Sequence, residues 1–332
     1  MKIIRASIIG FGSVGRGVAK TLLLKKEEIR KAGFEIKVIG IADSRSGIVD
    51  TDGLDLEEIL KRKADTGRVS EENLSGIDII ENVDHELVIE TTPSDIDTGG
   101  VGLENMRMAF SKGRDVVTSN KGPLALKFCE LTDYAKENGS KFRYEATVGG
   151  AMPILNLVRE TLAGNEIKSI QGILNGTCNY ILSRMMEEKA PYEQMLAEAQ
   201  ELGIAETDPT YDVEGIDAAS KLVIIANSVF GMDVNYHDVD VTGITKITPE
   251  ALMLAHDEGY AVRLIGEVKE GTLKTSPRLV PLDHPLAVGG TRNVAYIQTD
   301  LSGDVTVSGL GAGSIETASA ILSDIISLYR ER

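Results

Sequence analysis

The sequence predicts an α/β protein in two parts: an N-terminal doubly wound parallel sheet, then an α+β domain. Three observations carry that expectation. A short apolar run at residues 2–9 leads into Gly10-Phe11-Gly12-Ser13-Val14-Gly15 and then into a segment with helical spacing. Apolar runs alternate with helical patterns as far as about residue 145, which is the grammar of a parallel sheet with right-handed crossovers. Beyond that point helical segments come in succession, followed by strands with short connections, which suits a largely antiparallel sheet. A length of 332 residues also favours two domains.

Element by element, IIRASIIG reads as the first strand, and RGVAKTLLLKKEEIRKAG as a helix ending at Gly33, with Val18, Leu22 and Ile29 on one face. EIKVIGIAD is a second buried strand ending at Asp43, which completes a βαβ unit. GIDIIENV, HELVIETT and RDVVTSN read as further strands, separated by helical patterns such as LENMRMAFSKG and LKFCELTDYAKENG. In the second half, helices are expected at 151–164, 175–189, 192–202 and 216–230. The strands VRLIGEV, TLKTSPRLVP, TRNVAYIQTD and DVTVSG follow them. Gly309-Leu310-Gly311-Ala312-Gly313 then opens an amphipathic helix, SIETASAILSDIISLY, able to dock back on the first domain. The expected division is therefore 1–145 with 305–332, and 146–304.

Hydrophobic residues at 42% and charged residues at 26% place the chain among folded globular proteins. Asp and Glu outnumber Lys and Arg by 51 to 35, for a net charge of −16. Nucleic acid and anionic membrane surfaces need a cationic footprint, so both are poor partners. The two cysteines, Cys129 and Cys178, exclude a disulfide framework and cysteine-rich zinc sites, and they suit a reducing compartment. The longest uncharged run, 169–183, is too short for a bilayer and carries Gln171, Asn175, Thr177 and Asn179. The N-terminal apolar stretch runs into a glycine loop instead of a cleavage site, so the expected location is the cytoplasm.

The glycine motif is informative because of its context. It follows a strand and opens a helix inside a βαβ unit, the setting of a dinucleotide-binding, Rossmann-type fingerprint. Gly10 permits the tight turn, Gly12 lets the backbone approach a pyrophosphate, and Gly15 allows close helix–strand packing. The amides at the helix start, around Ser13 and Val14, then face the phosphates. Asp43 sits where a carboxylate would accept the ribose hydroxyls of NAD, and Arg45 where a guanidinium would hold the extra phosphate of NADP. The two residues point to opposite cofactors, so NAD and NADP both stay open. Thr92, Ser119 and Lys121 lie just after later strands, on the edge where ligands bind in open α/β sheets.

A nicotinamide enzyme needs a proton relay, and the usual ones fail on inspection. Zinc chemistry lacks its cysteines, and no Tyr-x-x-x-Lys exists, because Arg184 follows Tyr180 and Asn138 follows Tyr134 at that spacing. The histidines 85, 237, 256 and 284 are scattered, and Cys178 has no histidine in a comparable motif. Lysine remains the best candidate acid. Residues 206–221, ETDPTYDVEGIDAASK, place five carboxylates ahead of Lys221. Asp217 and Lys221, four residues apart at the start of an apolar helix, share one face.

At these residues the chain resembles the homoserine dehydrogenases. The segment AQELGIAETDPTYDVEGIDAASK, residues 199–221, is similar to the family signature. TSNKG at 118–122, EATVGGAMPI at 145–154, NGTCNYIL at 175–182 and GLGAGSIETA at 309–318 extend the likeness over nearly the whole chain. Two positions depart from the pattern: Thr207 stands where proline or alanine is commoner, and Ile204 where a tyrosine often contacts substrate. The resemblance implies a monofunctional enzyme without a regulatory domain. It would reduce L-aspartate 4-semialdehyde to L-homoserine, with NADP or NAD, for threonine, methionine and isoleucine biosynthesis, and would act as a homodimer.

Residue by residue, the resemblance implies that Lys221 gives and takes the proton, with Asp217 and Lys121 assisting. Glu206, Asp217 and Thr177 would hold the substrate. Gly203 and Gly313 would join the cofactor set, and a monovalent cation, Na⁺ or K⁺, would sit on Glu145 and main-chain oxygens of Val148, Gly150 and Met152. Neighbouring carboxylates favour a protonated lysine, which serves reduction, whereas burial disfavours it.

Two other functions compete with this one. A dehydrogenase for another small acid lacks its cysteine–histidine pair, and a non-catalytic dinucleotide sensor would not need Glu206, Asp217 and Lys221 together. The Asp43/Arg45 ambiguity is testable: Arg45→Ala is expected to weaken NADPH relative to NADH in steady-state kinetics. Equal loss of both would show that Arg45 does not read the phosphate.

Overall fold

The computed structural model describes residues 1–330. It divides into two compact units, Met1–Thr147 with the segment from Gly313 onward, and Val148–Ala312. The first unit's sheet contains β1 (Lys2–Ile9), β2 (Phe34–Ala42), β3 (Gly47–Val49), β4 (Leu87–Glu90), β5 (Asp115–Thr118) and β6 (Phe142–Arg143). Their order is β3-β2-β1-β4-β5-β6. Every pairing is parallel except β2 with β3. The order reverses at β1, so the expected doubly wound sheet is present. Its centre is fully buried, with Ile4, Ala6, Ile8, Leu87, Ile89 and Val117 inaccessible to solvent. Burial on both faces explains why these strands read as unbroken apolar runs.

Helices α1 (Ser13–Leu24) and α2 (Lys26–Lys31) replace the single helix expected between β1 and β2. A break falls at Lys25, whose amide caps α1 through Thr21 O. Helices α3 (Leu56–Thr66), α4 (Gly76–Asn82), α5 (Gly100–Ser111) and α6 (Lys121–Glu137) complete the crossovers. Residues 76–82 were expected to form a strand and form α4 instead. The Ser75 side chain accepts from the Asp78 amide while the Asp78 carboxylate accepts from the Ser75 amide. That reciprocal capping box satisfies the orphan amides of a helix start.

The glycine loop is fixed by close approach. Gly10 has φ +98°, and a Cβ there would lie 2.5 Å from the Thr91 carbonyl carbon and the Thr92 amide nitrogen. At Gly15 a Cβ would lie 2.2 Å from Gly10 O. Neither position tolerates a side chain without moving backbone.

In the second unit the strands are β7 (Ile167–Ile173), β8 (Asp240–Val241), β9 (Tyr260–Lys269), β10 (Thr272–Pro281), β11 (Arg292–Thr299) and β12 (Asp304–Leu310). They form one sheet in the order β12-β11-β7-β9-β10-β8. It is antiparallel apart from the short β8–β10 pair. Because β12 is bonded to β11 along its whole length, the return to the first unit begins at Gly313 rather than at residue 305. Helices α7 (Gly176–Glu188), α8 (Tyr192–Glu201), α9 (Thr210–Val213), α10 (Ile216–Phe230) and α11 (Pro249–Asp257) belong to this unit. The helix expected at 151–164 is shortened to a helical stretch over residues 155–161, wound as a π-helix from Leu157 to Thr161.

The C-terminal helix α12 (Ser314–Tyr329) returns to the first unit and packs on α1. Ala318, Ile321, Ile325 and Leu328 enter the same core as β1 and β2, each larger one contributing on the order of 1.5–3 kcal/mol by burial. The approach to α1 is close: a Cβ on Gly17 would lie 2.4 Å from Ser314 O. The Tyr329 hydroxyl donates to Asp115 Oδ2 at 2.6 Å, tying the helix to β5. Among the described residues no helix is long and apolar enough to cross a membrane.

Candidate active site

Helix α10 runs through the second unit almost entirely out of solvent, with every residue from Asp217 to Asn227 buried. Each polar side chain on it must therefore find an internal partner. Ser220 donates back to Ile216 O, and Asn227 exchanges two hydrogen bonds with Val234. Lys221 Nζ lies 2.7 Å from Asp217 Oδ2, as their spacing predicts, with 10% and 7% of the two side chains exposed. The ammonium also donates to Leu174 O at 2.7 Å. That carbonyl accepts a second hydrogen bond from Asn293 Nδ2 at 3.1 Å.

The pair sits among neighbours from two other helices. Asn175 caps α7, its Oδ1 accepting from the Cys178 amide at 2.8 Å. Its Nδ2 donates to Asp217 Oδ2 at 3.0 Å and to Asp212 Oδ1, on α9, at 2.6 Å. Burial, and then the negative charge of Asp217, push the Asp212 carboxyl above the ordinary aspartate value; hydrogen bonds from Asn175 and Thr177 oppose them. Thr177 Oγ1 also reaches Ile204 O at 3.2 Å. Burial raises the Cys178 thiol well above its usual range, and its Sγ donates to Asp212 O. Cys178 is therefore an inert core thiol. Glu206 stands on the exposed loop before α9, held by its main-chain oxygen, which accepts from Gln200 Nε2.

In the first unit, Gly12 precedes α1 with no side chain capping the helix, and a Cβ there would meet nothing within 4 Å. The open, uncapped helix start, with exposed Ser13 and half-buried Val14, fits an incoming phosphate. Asp43 follows β2 and is heavily engaged. Its Oδ1 accepts from the amides of Arg45 and Ser46 and from Ser46 Oγ, and its Oδ2 pairs with Lys63 Nζ at 2.6 Å. Burial would raise this carboxyl, but the Lys63 ammonium and the amide hydrogen bonds outweigh it and hold it below the ordinary aspartate value. Arg45 itself is exposed.

A second node gathers the loops after β4 and β5. Glu90 is completely buried. Its Oε1 accepts from the Thr92 amide at 3.0 Å and from the Thr92 hydroxyl, and its Oε2 from Thr118 Oγ1 at 3.2 Å. Asn120 caps α6 through the Gly122 amide and donates to Thr92 Oγ1 and Pro93 O. Ser119 and Lys121 flank it, the Lys121 amide donating to Ser94 Oγ.

Of the residues expected to hold a cation, Glu145 belongs to the first unit, and Val148, Gly150 and Met152 to the second. Glu145 is buried, and its amide donates to the buried Asp324 carboxylate. The 148–152 turn lies against main-chain oxygens: a Cβ on Gly150 would fall 2.7 Å from Gly311 O and 3.0 Å from Leu310 O. Leu310 O there accepts from the Ala151 amide at 3.1 Å, so the turn is held to the end of β12 by its backbone.

Residues 10–145 match the profile described as the homoserine dehydrogenase NAD binding domain, and residues 153–326 match that of homoserine dehydrogenase. The chain is 53% identical to the homoserine dehydrogenase of Methanocaldococcus jannaschii, covering 97% of both. The chain belongs to the homoserine dehydrogenase family. A crystal structure of a putative homoserine dehydrogenase from Archaeoglobus fulgidus superposes with a TM-score of 0.93 at 52% identity, covering 99% of this chain and 100% of that one. A hyperthermophilic archaeal homoserine dehydrogenase in complex with NADPH superposes at 0.86 with 33% identity, covering 98% and 97%.

Membership makes the chain an NAD(P)-dependent oxidoreductase of amino-acid biosynthesis acting on a small molecule. The structure joins Asp217, Lys221 and Thr177 into one cluster in the second unit. It places Thr92, Ser119 and Lys121 together in the first. Gly203 is exposed after α8, next to Ile204, whose carbonyl accepts from Thr177 Oγ1, and Gly313 precedes α12 with φ +126°. Sequence reasoning missed Asn175, Lys63, Glu90 and Asn293, and saw Asp212 only as one of the five carboxylates ahead of Lys221. The only local signal was Asn-Gly-Thr ahead of a helical pattern, which marks an N-cap.

Burial raises the Glu90 carboxyl to about 7 against hydrogen bonds that lower it. A raised native value means the folded state holds the proton more tightly. This contribution to stability is complete below the ordinary glutamate value of 4.5 and is lost as pH rises towards 7. Glu90→Gln keeps the shape without the charge, with Nε2 able to donate to Thr118 Oγ1. The melting temperature of this variant, relative to wild type, is expected to climb by roughly 2–4 °C between about pH 5 and pH 7.5. A difference that stays flat in thermal melts followed by circular dichroism would contradict a buried, titrating Glu90.

Proposed function

We propose that Lys221 is the proton donor and acceptor of the homoserine dehydrogenase reaction in this chain. The observation that carries the reading is an ammonium nine-tenths buried yet hydrogen-bonded to Asp217 and Leu174 O. In the biosynthetic direction the aldehyde of L-aspartate 4-semialdehyde becomes the hydroxyl of L-homoserine. Reduced nicotinamide, when bound, supplies the hydride that the carbonyl carbon takes. As that carbon accepts it, negative charge develops on the oxygen, and Lys221 Nζ passes it a proton. Asp217 orients the ammonium and balances its charge before transfer. Thr177 and Asp217 hold the substrate beside Nζ, and the exposed Glu206 carboxylate takes its ammonium. Lys121 assists in the transfer.

The cofactor is held in this reading by Gly10, Gly12, Ser13, Val14 and Gly15, with Asp43 and Arg45 at the ribose and Thr92, Ser119, Gly203 and Gly313 around it. The open helix start at Gly12 supports the phosphate position. Main-chain oxygens of Val148, Gly150 and Met152, with Glu145, are proposed to hold a monovalent cation, which would stiffen that turn. The chain is further proposed to work as a homodimer. Cross-strand register lines up Thr306, Tyr296, Gln171, Glu267 and Lys274 on one face of the second sheet, and all five keep solvent exposure. Both cysteines being thiols supports work in the reducing cytoplasm.

Lys221→Ala is expected to lower turnover by about 10²–10⁴-fold with dinucleotide binding retained, measured by absorbance at the nicotinamide band and by fluorescence titration. Near-wild-type turnover would overturn the assignment. Oxidation of homoserine needs the neutral amine, so its rate should climb towards alkaline pH. A flat profile from neutral to strongly alkaline conditions would count against Lys221 as the titrating group.

A further inference from the structure

We infer that Asn175 is a positioning residue for the reaction: its side-chain amide sets the distance and orientation between the Asp212 and Asp217 carboxylates and so aims Lys221. This rests on the reading of Lys221 given above.

The Asn175 amide is in full use. Asn175 is 4% exposed. Its oxygen is committed to capping α7, and both hydrogens of its nitrogen are committed to carboxylates on two other helices. No other common side chain of this size offers one acceptor and two donors. One group thereby ties together the start of α7, which carries Thr177, the end of α9, and the first turn of α10.

The carboxylates need such a link. Both accept from the same nitrogen, so they sit close together, and like charges at short range repel. The amide supplies positive hydrogen to each and so offsets part of that repulsion. Asp217 Oδ2 accepts from Asn175 and from Lys221 at once. The amide therefore fixes the rotation of the carboxylate that in turn fixes the ammonium. Partners that orient a reacting group in this way act on rate more than on fold.

The charged or titratable groups that act on the cluster include Asp212 and Glu214 from α9 and its cap, Cys178 from α7, Tyr192 from α8, and Asp217 and Lys221 from α10. From the sheet, Gly266 and Thr275 lie alongside Leu174 and Leu222, and both are neutral. The far end of α10 meets the turn Tyr236–Asp238.

Two variants of the full-length protein separate positioning from scaffolding. Asn175→Ser keeps an oxygen to cap α7 and removes the bridge. Asn175→Asp keeps the cap and the shape but turns the donor into a third negative charge. Steady-state oxidation of homoserine is expected to show kcat lowered about 10–100-fold in both, with the KM for the dinucleotide unchanged. The acid limb of the pH profile should move upward by about one pH unit in Asn175→Asp, because the added charge holds the proton on Lys221. A purely structural role would leave that limb in place. Wild-type kcat in Asn175→Ser, or an acid limb in folded Asn175→Asp that coincides with wild type, overturns the inference. If Asn175→Asp does not fold, Asn175→Ser decides alone. Lys221→Ala in the same assay keeps the two ideas apart: retained turnover there removes the reading of Lys221, whereas its loss beside normal Asn175 variants removes only the positioning role.

Discussion

The second unit of this molecule depends on keeping one ammonium and one carboxylate together inside a helix-lined interior. Lys221 and Asp217 lie in a stretch of α10 that is otherwise packed with Ala218, Ala219, Leu222 and Val223. Removing either charge alone would strand its partner in low dielectric, a loss of about 3–5 kcal/mol for a buried pair. The surroundings are built to prevent that. Leu174 O takes one of the ammonium hydrogens, Asn175 supports the carboxylate, and Asn293 steadies the carbonyl. A buried pair is no more stabilising than well-packed apolar residues would be. Its presence is best understood through chemistry, because a proton can move from a lysine and cannot move from a leucine.

The first unit solves a different electrostatic problem with similar means. Its sheet edge must present polar groups to an anionic ligand while keeping loops of glycine and threonine in place. Glu90 and Asn120 do this from beneath, collecting hydrogen bonds from the turns that follow β4 and β5. Asp43 does it at the next edge position, with both oxygens engaged by its own turn and by Lys63. The acidic excess of the chain is thus partly structural: several carboxylates act as acceptors that fold loops, and they face inward.

Much of the fold was legible because its signals are local. The Gly10–Gly15 loop, the apolar runs of β1 and β2, the strands from β9 to β12 and the glycine-led start of α12 all follow from short patterns in sequence. The errors were local too. GIDIIENV has the apolar density of a strand, and only the Ser75–Asp78 capping box distinguishes it from one. Residues 151–164 carry helical spacing, but only 155–161 are helical, because the turn before them packs on the end of β12. The 305 boundary failed because β12 is claimed by β11, a pairing that amphipathicity alone does not reveal.

The sequence by itself determined the chemistry available: a phosphate-accepting glycine loop, a lysine four residues after an aspartate, and too few cysteines for thiol or zinc mechanisms. Spacing of a few residues suffices for these, since one helical turn or one tight loop sets the geometry. Tertiary structure decided which partners those groups acquire. Asn175 meets Asp212 and Asp217 from 37 and 42 residues away, Asp43 meets Lys63 from 20, and Glu90 meets Thr118 from 28. Such contacts depend on how helices and strands pack, and packing is a property of the whole chain that no short window records.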